Sequence, residues 1–447
     1  MKGTHNINMT QGDPTRLLVR FAIPMLIGNL FQQAYSLADS MIVGQLLGAS
    51  ALAAVGATGS LTFLFFSVCS GVASGAGIVT AQFFGAGEFQ RTKRAIANAA
   101  YIMVAAGLIM GVVAFLAAPA MLKLMGTPTD ILPNSVAYMR VSCLGVPLVA
   151  VYNHASSMLR SPGDSRTPLY FLICSCLLNI VLDYLCVAVL GMGVQGAAVA
   201  TIIAQMISGV GCLLYAVKHN PYFHLTREDA RPDGAILRRS VKLGLPLAMQ
   251  WSLVAVSTTA LQSFVNSFGA QAMAAFTATS RVEQLVHQPY NSIGAALATY
   301  SGQNYGARNM DRVKNGMKHG MRLSVAFTVI MMVAYQLLGE GIMRLFVQDT
   351  EVIMTGAQAL RLTSWFYIFL AVIYMCRGVL NGVGDAMFAF INGIVEVVCR
   401  IGLPLLFMAL LPGADKIVIW WTAGVTWAIS GGSCFLRYLA WRRKAIL

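Results

Sequence analysis

The chain predicts an all-α polytopic membrane protein: about twelve transmembrane helices in two six-helix bundles, related by a pseudo-two-fold axis along the membrane normal. Three observations carry that expectation. Of 447 residues, 57% are hydrophobic and 11% charged, against about 25% charged in an ordinary soluble domain. The basic residues gather in alternate loops. The second half of the sequence also repeats the first at a constant offset.

Each element follows from the length of an apolar run, because a hydrocarbon layer about 30 Å thick needs about 20 helical residues to cross it. MKGTHNINMTQGDP (1–14) is polar and leads straight into a full-length run. It lacks the basic start, short apolar core and small-residue cleavage site of a secretory signal, so the first helix is expected to stay. Runs near 17–43 and 53–82 precede a loop with Arg91, Lys93 and Arg94. Runs near 95–118 and 135–158 lead to Arg160 and Arg166, and runs near 168–190 and 195–217 to Arg227, Arg231, Arg238 and Arg239. In the second half, 241–265 and 273–299 precede Arg308, Arg312, Lys314 and Lys318. Runs near 320–340, 357–380, 387–411 and 418–440 then reach Arg442, Arg443 and Lys444. Lys2, Arg16 and Arg20 stand before or within the start of the first run, while the intervening loops hold little beyond Lys123, Arg344 and Lys416. The positive-inside rule therefore places both termini in the cytoplasm, with the chain in the inner membrane among its lipids. The net charge of +14 is read as topology, not as a nucleic-acid surface, since no basic face with interleaved aromatics lies outside the runs. The nine cysteines, Cys174 and Cys176 among them, sit mostly inside runs without the spacing of a zinc site or a redox pair; packing is their expected use.

The repeat is visible in three pairs. GAGEFQRTK (85–93) matches GARNMDRVK (306–314), MLKLM (121–125) matches IMRLF (342–346), and LRSPGD (159–164) matches LNGVGD (380–385). Subtracting 85 from 306, 121 from 342 and 164 from 385 gives 221 each time. Six spans return a chain to its starting side, so the halves are parallel repeats, an arrangement suited to alternating access. The expected division is 1–217, a basic cytoplasmic linker at 218–240 (KHNPYFHLTREDARPDGAILRRS), and 241–447.

Polar residues inside apolar runs point to a function. An Asp at mid-membrane costs about 2.5–3.5 kcal/mol on insertion scales and is retained for a use. Gln32, Tyr35 and Asp39 follow at i, i+3 and i+7, one helical face. Asn179 and Asp183, at i and i+4, form another. At 1.5 Å per residue, Asp183 lies about 22 Å above the cytoplasmic end of its helix and Thr201 about 21 Å above the same surface. Two carboxylates, an amide, a hydroxyl and a phenol make a hard-oxygen set suited to a proton or to Na⁺. The plainer reading is that each acid bonds a neighbouring helix. Adding 221 converts Asn179 to Arg400, Asp183 to Pro404 and Asp39 to Ala260, so the second half lacks the set. There, Glu396 and Arg400 at i and i+4 read as an ion pair. Glu283 reads either as a lobe-internal partner or as a substrate ligand, with Gln32 and Gln250 as further candidates for a substrate cleft. Gly71, Gly75 and Gly77 read as sites of close helix approach.

GDPTRLLVRFAIPML (12–26), DSMIVGQLLGASALAAVG (39–56), AQFFGAGEFQR (81–91), LRSPGDSRTP (159–168), LNIVLDYL (178–185) and GQNYGARNMDRVK (302–314) resemble, in order and spacing, the multidrug and toxic compound extrusion (MATE) transporters. The resemblance covers the whole chain and is nearest the bacterial DinF-like branch. It implies that Tyr35, Asp39, Asn179, Asp183 and Thr201 form a cation or proton site, with Na⁺ held at Asp39, Asn179, Asp183 and Thr201 if a metal is the ion, and that the first helix bends near Pro24. It also implies a monomeric antiporter that exports amphipathic, cationic organic compounds in exchange for Na⁺ or H⁺ and uses no resident cofactor. Other branches carry an acid on the seventh span; 241–265 has none.

Rival functions are weaker on the same residues. A lipid-linked oligosaccharide flippase needs several basic groups in its cleft for pyrophosphate. A membrane prenyltransferase needs clustered Asp, and no DxxxD or DDxxD occurs, so no catalysis is expected. No P-loop is present either, which argues against ATP as the energy source. A passive channel remains as the other alternative.

Overall fold

The computed structural model describes residues 6–410, 413 and 415–444; Lys2, counted above among the cytoplasmic charges, and the two extreme termini lie outside them. Among the described residues, twelve long α-helices follow in order: α1 (Pro14–Leu47), α2 (Ala49–Gly85), α3 (Phe89–Leu124), α4 (Leu132–Arg160), α5 (Arg166–Tyr184), α6 (Gly193–His219), α7 (Gly234–Asn266), α8 (Ala270–Gly306), α9 (Met310–Arg344), α10 (Thr350–Val383), α11 (Ala386–Leu410) and α12 (Val418–Lys444). Each overlaps one expected span. Nine are long and apolar enough to cross a membrane by that criterion alone; α7, α8 and α12 fall short of it. On α8, Arg281, Glu283, Gln284, His287 and Gln288 crowd two turns.

The backbone carries the repeat as plainly as the sequence does. Gly48 before α2 has φ 86° and ψ 178°, and Gly269 before α8 has φ 85° and ψ −179°; that region is essentially closed to residues with a Cβ. Gly163 (φ 101°) and Gly384 (φ 96°) likewise share a left-handed turn. Gly87 (φ 74°) matches Arg308 (φ 57°), so the second half keeps the turn even where an arginine must adopt it. All three pairs fall at the offset of the sequence repeat.

Two compact units result: Met1–Asn8 with Ile23–Trp251, and Met9–Ala22 with Ser252–Leu447. Within the first, α4 packs against α2, α3 and α6; within the second, α10 packs against α8, α9 and α12. These hubs are repeat equivalents. In the first unit, a Cβ on Gly71 would overlap the backbone of Ala248, one on Gly75 the backbone of Gly244, and one on Gly77 the Ser157 hydroxyl. The three glycines thus have the packing role expected of them. The second unit is sealed by a cluster that includes Tyr290, Tyr335, Tyr367 and Leu360, all at 0–1% exposure.

The stretch before α7 is held by the first unit. Lys93 Nζ lies 3.0 Å from Asp229 Oδ2 with both side chains buried, Arg94 reaches Glu228 at 2.8 Å, and Tyr101 donates to the Ala230 carbonyl at 2.7 Å. Met9, fully buried in the second unit, donates its amide to Gln303 Oε1 (2.8 Å) and accepts from Asn304 (3.0 Å) and Arg312 (3.2 Å).

Candidate functional site

Three helices of the first unit bring polar side chains together. Helix α1 presents Gln32, Tyr35 and Asp39, α5 presents Asn179 and Asp183, and α6 presents Thr201 and Gln205. Asp183 stands one residue before the end of α5, where the chain widens into a π-helical turn, Leu185–Val189. Such widened turns recur at functional positions because they rotate the flanking side chains out of α-helical register.

The site is a chain of hydrogen bonds that ends on carboxylates. Tyr35 Oη lies 3.3 Å from Thr201 Oγ1. In the amide orientation that satisfies every partner, Asn179 Nδ2 donates to Asp183 Oδ2 at 2.7 Å, and Asn179 Oδ1 accepts from Thr201 Oγ1 (3.2 Å) and the Thr201 amide (3.1 Å). Asp39 and Asp183 face one another within hydrogen-bonding reach. Asp183 is fully buried and Asn179 is 2% exposed. Asp39 Oδ1 and Asp183 Oδ1 each lack a partner, which leaves one oxygen on each acid able to accept a proton or a small cation. Buried acceptors without partners are costly. Among the described residues no cluster of three His, Cys, Asp or Glu side chains marks a transition-metal centre.

Gln32, Tyr35, Asn179 and Thr201 also line a small cavity of about 10 Å³, room for one water molecule, together with Ser175 and Gln205. The structure therefore unites Asp39, Asp183, Asn179, Thr201, Tyr35 and Gln32. Gln250 and Glu283 do not line that cavity. Gln250 is buried on α7 at 6% exposure, and Glu283 belongs to the second unit, where it faces Thr363 and Arg400. Pro24 is buried inside an unbroken α1, two residues past Ala22, where the helix passes from one compact unit to the other.

Two findings were not legible in the sequence. Tyr138 of α4 lies beside both acids, yet no motif or periodicity sets it apart from the other tyrosines. The expected Glu396–Arg400 pair is also corrected. Glu396 is engaged by Arg377 of α10 and accepts from Ser430 of α12 at 3.1 Å, and Arg377 also holds Asn392. The i, i+4 spacing suits a pair, but a guanidinium from a neighbouring helix, held on Asn392 through Nε and Nη2, reaches the carboxylate with Nη2 and takes the place of the one on the same helix.

The family model described as MatE matches the chain twice, at residues 24–185 and 246–406. The chain is 28% identical over 441 residues to the Bacillus subtilis protein named "Probable multidrug resistance protein YpnP", covering 98% of each. It is 29% identical over 391 residues to "Probable multidrug resistance protein YoeA" of the same organism, covering 86% of this chain and 84% of that one. Among solved structures, a transporter of the MOP superfamily from Pyrococcus furiosus superposes with a TM-score of 0.92 at 22% identity, covering 100% of both chains.

Proposed function

The chain belongs to the MatE family, and from that premise we propose that it is a secondary-active antiporter of the inner membrane, exporting amphipathic, cationic organic compounds in exchange for Na⁺ or H⁺. The observation that carries the reading is the pair Asp39–Asp183, two facing carboxylates with an unpartnered oxygen each. Tyr35, Asn179 and Thr201 support it as the residues that orient the pair or complete the shell of a cation.

Coupling follows from competition for one charge. With the acids ionised, the first unit attracts an organic cation; with Na⁺ or H⁺ bound, that attraction is gone and the compound is released. Reciprocal weakening of this kind is what linkage between two ligands requires. The relatives named as multidrug resistance proteins support the substrate class. The flippase alternative is disfavoured by the acidic, amidic and hydroxylic character of the first unit's buried set. A channel differs in consequence, because it dissipates a gradient without moving a second solute.

The test is efflux of ethidium from sealed proteoliposomes under an imposed Na⁺ gradient and, separately, an imposed pH gradient. Uphill movement driven by one of them supports antiport and names the ion. Dissipation of both gradients with no uphill movement sinks the proposal.

A further inference from the structure

Arg400 on α11 lies about 21 Å along the helix from Ala386, a depth at which a cation needs a partner or a ligand. Glu396, the carboxylate one turn away, is taken by Arg377 and Ser430. Among the described residues, what remains for Arg400 is a single hydrogen bond, from Nη1 to Thr258 Oγ1 of α7 at 3.2 Å. Its Nε is buried and meets no acceptor, and among the described residues it forms no ion pair. The guanidinium is nevertheless within reach of a ligand, because Arg400 is only half-buried and Thr258 is exposed.

The surroundings are those of a site. Glu283 and His287, at i and i+4 on one face of α8, both lie near Arg400, and Glu283 Oε1 and His287 Nε2 are buried without partners. The His287 ring packs edge-on against that of Tyr374 (6.3 Å) and that of Trp427 (5.8 Å), so the charged groups border the aromatic core of the second unit. All of these residues belong to the second unit. By the repeat, Arg400 occupies the position that Asn179 holds beside the two acids of the first.

We propose that Arg400 anchors the carboxylate of an aromatic, amphoteric compound in the second unit, with Glu283 receiving its ammonium group; this rests on the exporter reading above. A guanidinium stays charged at any working pH and offers a planar fork matched to a carboxylate. Arg400 Nε without an acceptor and Glu283 Oε1 without a donor, beside an aromatic cluster, are complementary to a molecule that carries both charges.

The experiment uses a rhodamine bearing a free carboxylate and the methyl ester of the same dye, with binding to the purified full chain read by fluorescence polarisation. Arg400→Gln is expected to weaken the acid by about tenfold and to change the ester by less than about twofold, the scale of one charged hydrogen-bonded pair. Arg400→Lys, which keeps the charge but not the fork, should fall between. Equal loss for both dyes, or none for either, overturns the assignment. Should Arg400→Gln fail to fold, the wild type decides: acid and ester binding alike overturn it, and a preference of about tenfold for the acid supports it. If the wild type binds neither dye yet exports ethidium, this inference fails alone. If it exports nothing, the exporter reading fails and takes this inference with it.

Discussion

At the residue scale, the acids and their supporting amide and hydroxyl make separable predictions. Asp39→Asn and Asp183→Asn each remove a charge without leaving an unpaired one. Both variants are therefore expected to fold, with a gel-filtration profile like that of the wild type, and to lose gradient-driven efflux. Wild-type rates in both would rule out the pair as the coupling site. Asn179 and Thr201 have no proton to exchange near neutral pH, so Asn179→Ala and Thr201→Ala test which ion is used. If Na⁺ is transported, each should weaken its apparent affinity about tenfold and leave the pH profile of efflux in place. A displaced pH profile with no Na⁺ requirement in wild type or variant would identify a proton antiporter. The acids were legible in the sequence because a carboxylate in an apolar run is conspicuous. Tyr138 and Arg377 were not, because what gives them meaning is a contact across helices, and nothing in their own neighbourhoods records it.

At the scale of the element, the helices were legible because a membrane enforces a minimum length of apolar helix, and turns with special backbone needs, such as that at Gly48, wrote themselves into the sequence twice. Boundaries were less so. Helix α2 runs from Ala49 to Gly85, beyond the apolar run at 53–82, because its ends are set by glycine turns and not by the edge of the hydrocarbon layer. Pro24 was legible as a proline but not as a position next to the passage of α1 between two packing environments. A proline inside a helix removes one hydrogen bond and clashes with the carbonyl four residues back, here that of Arg20. Pro24→Ala should restore that bond, raise the midpoint of thermal unfolding by a few degrees and slow efflux at least fivefold, if transport requires α1 to bend. An unchanged efflux rate in a stabilised variant would show that α1 works as a straight rod.

For the whole molecule, two expectations concern the stretch 218–240. Its attachment to the first unit depends on Asp229. Burial alone would raise this carboxyl, but hydrogen bonds from the Thr226 amide (2.9 Å) and hydroxyl (2.8 Å) and from Lys93 (3.0 Å) outweigh it and hold the group below the usual carboxylate range. A depressed folded-state pKa contributes stability that is present above the unfolded value of about 3.9 and is lost as the pH falls through the folded one. Protection of the amides at 220–233 against exchange, relative to free amides at the same pH, should therefore hold from pH 8 to about pH 5 and fall below about pH 4. Lys93→Met, which strands a buried carboxylate at a cost of about 3–5 kcal/mol, should accelerate exchange between pH 5 and pH 8, where Asp229 is ionised, and unchanged exchange in that variant would mean the pair does not hold the segment. The second expectation is topological. Arg227, Arg231, Arg238 and Arg239 stand in this stretch, and the side that keeps Lys and Arg is the cytoplasm. Arg227, followed by Glu228 and Asp229, is exposed on a loop, so Arg227→Cys places a thiol there without disturbing the Lys93–Asp229 pair; native Cys174 is the one other exposed cysteine and must be replaced by Ser in the background. An impermeant maleimide should leave Cys-substituted intact cells unlabelled and react in inside-out vesicles. Labelling of intact cells would invert the molecule and, with it, the direction in which Asp39 and Asp183 could couple an inward ion to export.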